Sequence, residues 1–131
     1  MQKVIQFLNE NPVQYLATIG RDGKAVPSLY VRRRESGKLW FCTNNTKDVY
    51  QDMLANPYIE ISVSAQPTRG FVCMAQRCLR IIMKEEMCLQ NPIVKGQYQT
   101  ADNPIFTVFY LADAQAVIAD FSGNPPQEFT L

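Results

Sequence analysis

The residues best suited to chemistry in this chain are Thr43-Asn44-Asn45-Thr46-Lys47, a run of hydroxyl, amide and ammonium groups. An apolar run, Leu39–Cys42, precedes them and reads as a buried strand. A short helical stretch follows and ends before Pro57. Asn45 or Thr46 is the expected N-cap, with Asp48 in the first turn favouring the helix dipole. Backbone N–H groups at the helix start, the threonine hydroxyls and Lys47 converge on a pocket for an anion, and a phosphate suits it well. The same residue types also serve as caps and solvated charge in many strand-to-helix turns, and spacing alone leaves both readings open.

Other chemistries are excluded by what the chain lacks. With no histidine, neither a Ser-His nor a Cys-His pair can form, nor can a His-ligated haem or zinc. Cys42, Cys73, Cys78 and Cys88 fall in no metal-binding spacing, and no metal site is expected. They are expected to be reduced, with Cys42 a core strand residue. A net charge of +1 draws in neither nucleic acid nor an anionic membrane. The one basic run, Arg32-Arg33-Arg34, reads as a solvated strand end. There is no signal-peptide pattern and no apolar run approaching a membrane span, so the expected location is cytoplasmic. A chain of 131 residues, 47% hydrophobic and 19% charged, is long enough for one core, so residues 1–131 are expected to form a single domain.

The elements that must position the turn are short. Val4, Ile5 and Leu8 mark an amphipathic helix closed by Asn9-Glu10-Asn11-Pro12. Val13–Ile19 and Ala25–Arg34 read as strands joined by the Asp-Gly turn of Gly20–Gly23, and Pro27 fits only near an edge or strand start. Glu35-Ser36-Gly37 leads into the Leu39–Thr43 strand, completing an antiparallel meander. After the helix of Lys47–Asn56, Tyr58–Ala65 alternates, with Ile59, Ile61 and Val63 on one face. Gln66–Gly70 breaks it, and Met83 to about Tyr98 is helical in tendency, interrupted at Asn91-Pro92. Phe106–Ala112 and Gln115–Phe121 are expected to pair as a hairpin through Asp113-Ala114, and the tail beyond Gly123 to lack regular packing. Trp40, Phe41, Phe106, Phe109 and Tyr110 are expected in the core. The pattern predicts a mainly β protein with short helices, folded as a small closed or split barrel.

Four stretches in order, LATIGRDGK (Leu16–Lys24), GKLWFCTNNTKDVY (Gly37–Tyr50), ANPYIEIS (Ala55–Ser62) and DNPIFTVFYL (Asp102–Leu111), resemble the pyridoxamine 5′-phosphate oxidase-like FMN-binding proteins, in particular their short single-domain bacterial branch. The resemblance runs from about Val4 to Gly123. It implies a six- to seven-stranded antiparallel Greek-key split β-barrel, with FMN held between the subunits of a homodimer. Thr43, Asn44, Asn45, Thr46 and Lys47 match the turn that cradles the flavin phosphate in the family. Ser28 and Tyr30 fall on the strand that runs along the isoalloxazine ring, although Tyr30 also suits an ordinary strand position. Asn103, in the Asp102-Asn103-Pro104 motif, matches a position near the dimer interface and suits a turn cap as well as a cofactor contact.

Two departures qualify the resemblance. Pyridoxamine-phosphate oxidases proper hold substrate with a C-terminal Arg-x-His segment, which a chain without histidine lacks, so vitamin B6 oxidation is not expected. Phe71–Lys84 replaces the family's Arg-apolar-x-Gly strand and acidic turn with a run of no clear period. Read one nucleotide earlier, the Met74–Ala75 junction must encode Gly, preceded by Arg or Cys, an apolar residue, and His or Tyr. A frame slip restored before Glu86-Met87 and ordinary divergence both account for the run, and a slip would leave side chains such as Arg77 and Arg80 poorly fitted to their strand. The leading expectation is an FMN-dependent oxidoreductase that meets a small-molecule substrate or electron donor, with no protein acid or base assigned. The alternatives are a non-catalytic flavin or nucleotide binder and a structural dimer on the same fold.

Overall fold

A computed structural model describes residues 2–30, 32–35, 38–65, 69–79, 91–120 and 122–131, of which 25–30, 32–35, 69 and 71–79 are described by backbone alone. Helix α1, Gln2–Glu10, buries Val4, Ile5, Phe7 and Leu8 along one face. It stops where the Asn11 side-chain amide donates to the Phe7 carbonyl at 2.8 Å, just before Pro12. Strand β1, Gln14–Ile19, turns through Gly20–Gly23 into β2, Ala25–Tyr30. Gly23 adopts φ +81°, which a side chain would oppose. Then come β3 (Arg32–Glu35), β4 (Lys38–Asn44), α2 (Asp48–Ala55) and β5 (Tyr58–Ala65). β6 (Arg69–Leu79), α3 (Pro92–Tyr98), β7 (Phe106–Asp120) and β8 (Gln127–Thr130) complete the chain.

All strand pairings are antiparallel, in the order β2-β1-β5-β6-β7-β4-β3, with β8 added beside β7. The two ends of that path, β2 and β3, are neighbours in sequence, since Tyr30 and Arg32 are one residue apart. Their Cα atoms lie within about 7 Å of each other, so the sheet must roll until its edges approach. The single strand expected over Ala25–Arg34 is therefore shared: its first half pairs with β1 and its second half with β4. Pro27 sits on β2, an end strand of the path, where proline is tolerated.

The roll encloses a core of Leu16, Phe41, Ile59, Ile61, Val63, Phe109 and Leu111, closed by α1 and by Met53 of α2. β5 is buried at every second residue, as its alternation predicts. A second cluster, Trp40, Val94, Tyr98, Phe106, Val108 and Tyr110, packs α3 against the other face of β4 and β7. The start of β7 is thus buried on both faces, and its residues from Phe106 to Leu111 are an unbroken apolar-rich run. α3 begins where Pro92 follows Asn91, whose side chain accepts from Ile93 N at 3.0 Å and Val94 N at 3.4 Å. The earlier part of that predicted helical stretch, 83–90, lies outside the described residues.

Two expectations are overturned. The predicted hairpin at Asp113-Ala114 is one continuous 15-residue strand. Met74 pairs with Gln115 and Gln76 with Ala112, so Asp113 and Ala114 stand opposite Ala75 alone, with Asp113 at φ +51°. A bulge with a left-handed aspartate takes up the extra residue and bends the strand, where a tight hairpin would have needed Gly or Asn. The tail is regular too: β8 pairs with β7, and Phe129 and Leu131 pack on the main core. Pro125-Pro126 only brings the chain in extended, and apolar burial then secures it.

The stretch Arg69–Leu79 is a strand despite its irregular pattern, paired with β5 over Arg69–Gln76 and with β7 from Arg69 to Leu79 across the bulge. Central strands with partners on both edges are held by their ladders even where side-chain period is weak. The fit of the Arg77 side chain, and Arg80 altogether, lie outside the described residues.

Candidate functional site

Where β4 ends, the Asn44 side chain turns the backbone. Its Oδ1 accepts from the Thr46 N–H and from the Thr46 hydroxyl, both at 2.7 Å. Asn45 anchors the turn from outside, donating its backbone N–H to the Ile105 carbonyl at 2.9 Å and its side-chain amide to the Pro104 carbonyl at 2.8 Å. Gln51 returns from α2 to donate to the Asn45 carbonyl at 3.1 Å. Two expected caps therefore have other work. Lys47 is the N-cap of α2 in extended conformation (φ −79°, ψ 146°), and its side chain makes no capping hydrogen bond. Among the described residues no side-chain acceptor meets the leading N–H groups of α2. Lys47 is exposed and forms no ion pair among the described residues.

Thr43 forms the inner wall of the turn. It follows Phe41 on the core face of β4, stands opposite Thr107 of β7, and is 2% exposed. Its hydroxyl has no hydrogen-bond partner among the described residues. A buried hydroxyl left so costs about 1–3 kcal/mol. An uncapped helix start, a free ammonium and an unmet buried hydroxyl, all within one turn, fit an anionic group such as a phosphate.

Asn103 is drawn to this turn through its loop. Its side chain donates to the Tyr98 carbonyl at 2.9 Å and accepts from Ile105 N at 3.1 Å, and so holds Pro104 and Ile105 where Asn45 binds them. Ser28 and Tyr30 pair with Leu16 and Gln14 on the edge strand β2. Their chain continues directly into Arg32, which pairs with Phe41 two residues before Thr43. The roll of the sheet is what brings that end of β2 alongside β4.

Sequence reasoning missed Arg21. From the β1–β2 turn its Nη2 meets the Asp48 carboxylate at 2.6 Å and its Nε meets Asp52 at 3.1 Å. Both hydrogen bonds, that to Asp48 foremost, and both negative charges hold the guanidinium above its ordinary pKa. The spacing of Asp48 and Asp52, four apart on one helix face, was a visible signal. Their partner, 31 residues before Asp52, was not.

Behind the turn, Tyr98 of α3 lies 4.6 Å from the Phe106 ring and is 3% exposed. Burial chiefly, and then Cys42, pushes its phenol up from the ordinary value of about 10 to about 12. A phenol whose proton is held more tightly in the folded state contributes fully below pH 10, and that contribution is lost as pH rises toward 12. Ultraviolet titration of tyrosinate should show a late component near pH 12 that Tyr98→Phe removes. If Tyr98→Phe leaves the titration curve unchanged, the phenol is not in this environment.

No protein-family model and no curated protein matches the chain. Among solved structures, the chain is similar to a NimC/NimA family protein from Clostridium acetobutylicum, with TM-score 0.90 and 28% identity over 100% of this chain and 92% of that one. It is also similar to a protein related to general stress protein 26, of the pyridoxinephosphate oxidase family, from the same organism (TM-score 0.78, 15% identity, 99% and 93% of the two chains). A third is a pyridoxamine 5′-phosphate oxidase-related, FMN-binding protein from Nostoc punctiforme (TM-score 0.70, 18% identity, 97% and 87%). Mainly antiparallel β structure with short helices is common ground with these folds.

Proposed function

Since the chain belongs to the pyridoxamine 5′-phosphate oxidase-like family, we propose that it is an FMN-binding oxidoreductase-like protein on an antiparallel Greek-key split β-barrel. The flavin sits at a homodimer interface, and the substrate is a small molecule other than pyridoxamine 5′-phosphate. The observation that supports this reading is the turn itself, where the α2 N-cap makes no side-chain capping bond, the Lys47 ammonium is exposed without an ion pair among the described residues, and the buried Thr43 hydroxyl four residues earlier has no partner among them.

In this reading Thr43, Asn44, Asn45, Thr46 and Lys47 hold the flavin phosphate, by backbone N–H, hydroxyl and ammonium. Ser28 and Tyr30 line the ring from the β2 edge, and Asn103 supports the turn. The flavin, when bound, supplies hydride or electron transfer, and the protein's part is to bind, orient and shield it. With no histidine in the chain, no imidazole moves a proton here. The dimer covers apolar groups on the outer face of the sheet. Tyr15 and Ile19 of β1 and Tyr58 of the adjacent β5 are each more than one-third exposed, and a second copy would bury them. Among the described residues no helix is long and apolar enough to cross a membrane, and the proposed location is cytoplasmic.

Purified protein should carry, or take up, FMN with its yellow absorbance, and light scattering at micromolar concentration should report twice the 14.9 kDa chain. Protein that neither contains nor binds FMN would sink the reading, while a monomer that binds it would remove the two-subunit site. Reduction of bound flavin by NADH or NADPH with an added acceptor separates an oxidoreductase from a non-catalytic flavin carrier.

A further inference from the structure

We propose that Arg21 is a positioning residue for the anion turn, neutralising Asp48 and Asp52 so that the start of α2 can receive a phosphate. The inference rests on the reading of Thr43–Lys47 as the flavin phosphate site and assigns a role to a residue outside it.

The turn contains a contradiction that Arg21 resolves. Asp48 is the first residue of α2 and directly follows Lys47. An acid there favours the helix dipole, but it also places a negative charge beside the position an anion would take. A phosphate at that helix start would meet both the attraction of the N–H groups and the repulsion of the Asp48 carboxylate. One turn later Asp52 adds a second carboxylate on the same face, only 3% exposed. A helix start carrying two uncompensated acids is poorly suited to a dianion.

Arg21 meets both. Its Nη2 contacts Asp48 Oδ1 and its Nε contacts Asp52 Oδ1, so one planar fork spans the two acids. The arginine is fixed in its turn by the fold. It sits in the tight β1–β2 turn, where Gly20 N donates to the Lys24 carbonyl at 2.7 Å and Gly23 N to the Gly20 carbonyl at 2.8 Å. The clamp therefore does two things at once. It draws the Asp48 carboxylate toward the β1–β2 turn, and it ties the first turn of α2 to the rolled sheet, against which the rest of the helix packs through Val49 and Met53. Lys47 is then left at the helix start with no ion pair among the described residues.

The test is FMN affinity, read by quenching of flavin fluorescence on titration into apo protein. Removing Arg21 alone strands the buried Asp52 carboxylate, so every variant is made in an Asp52→Asn background, whose side chain can stay buried without charge. Adding Arg21→Ala to that background should raise the FMN dissociation constant about five- to tenfold at low salt, with a smaller effect at high salt. Adding Asp48→Asn as well should bring the constant back to within about twofold of the Asp52→Asn protein. Recovery by removal of a charge is not what a brace would show, because Asp48→Asn restores no tether. Unchanged affinity in Arg21→Ala overturns the role. Weakened affinity that Asp48→Asn does not recover overturns it too, leaving Arg21 as a structural strut. Wild-type protein that takes up no FMN overturns the phosphate reading itself and this inference with it, and that result is distinct from the other two.

Discussion

Phe109→Ala should remove about 3–5 kcal/mol of folding stability, a large share of the roughly 5–15 kcal/mol that holds a domain of this size. Phe109 is 0% exposed on β7, between β4 and β6, and its ring stacks on Phe41 of β4 at 5.4 Å and 17°. The cost combines lost transfer energy with a cavity that two hydrogen-bonded neighbouring strands cannot collapse to fill. Chemical denaturation followed by tryptophan fluorescence would measure it, since Trp40 lies on β4 one residue from Phe41. Phe109→Leu, which keeps most of the volume, should lose less than half as much. If the alanine variant unfolds at the same denaturant concentration as wild type, Phe109 is not at the centre of this core.

Lys47→Ala should weaken FMN binding by at least about tenfold, since a charge-assisted contact to a dianion contributes roughly 1.5–3 kcal/mol. The apo protein should melt as wild type does. Lys47 is exposed, has no ion pair among the described residues, and caps α2 through its backbone rather than its side chain. That separation of affinity from stability is the useful feature of the experiment. A variant that binds FMN with wild-type affinity would show that Lys47 is only solvated charge at a helix start. High salt should narrow the gap between the two proteins, because the lost term is electrostatic and near the surface.

The same turn shows how local and distant information divide. Its residue types, its place after a buried strand and before a helix, and the absence of histidine were all legible in the chain, because each depends on neighbours in sequence. The Asp-Gly turn, the alternation of Tyr58–Ala65, the interruption at Asn91-Pro92 and the buried aromatics of β4 and β7 were legible for the same reason, although the part of Asn91 as the cap that starts a helix was not. The exact cap of α2 was not. Asn44 captured Thr46 and the 104–105 loop captured Asn45, and such competition is decided only when those groups meet.

Other features existed only after the chain had closed on itself. Asp113-Ala114 looks like a break, yet β6 and β8 on either side carry the strand through as a bulge. Phe129 follows two prolines, yet a free edge of β7 and an apolar core surface order it. Arg21 lies 27 residues from Asp48 and 31 from Asp52, and nothing in their spacing announces that one fork will hold both. Near neighbours along the chain were enough to set the kinds of element and the chemistry available at the turn, since propensity, pattern and residue type act over a few residues. Tertiary structure alone decided which charges meet and which edges pair, because those contacts are selected by the closure of the whole sheet.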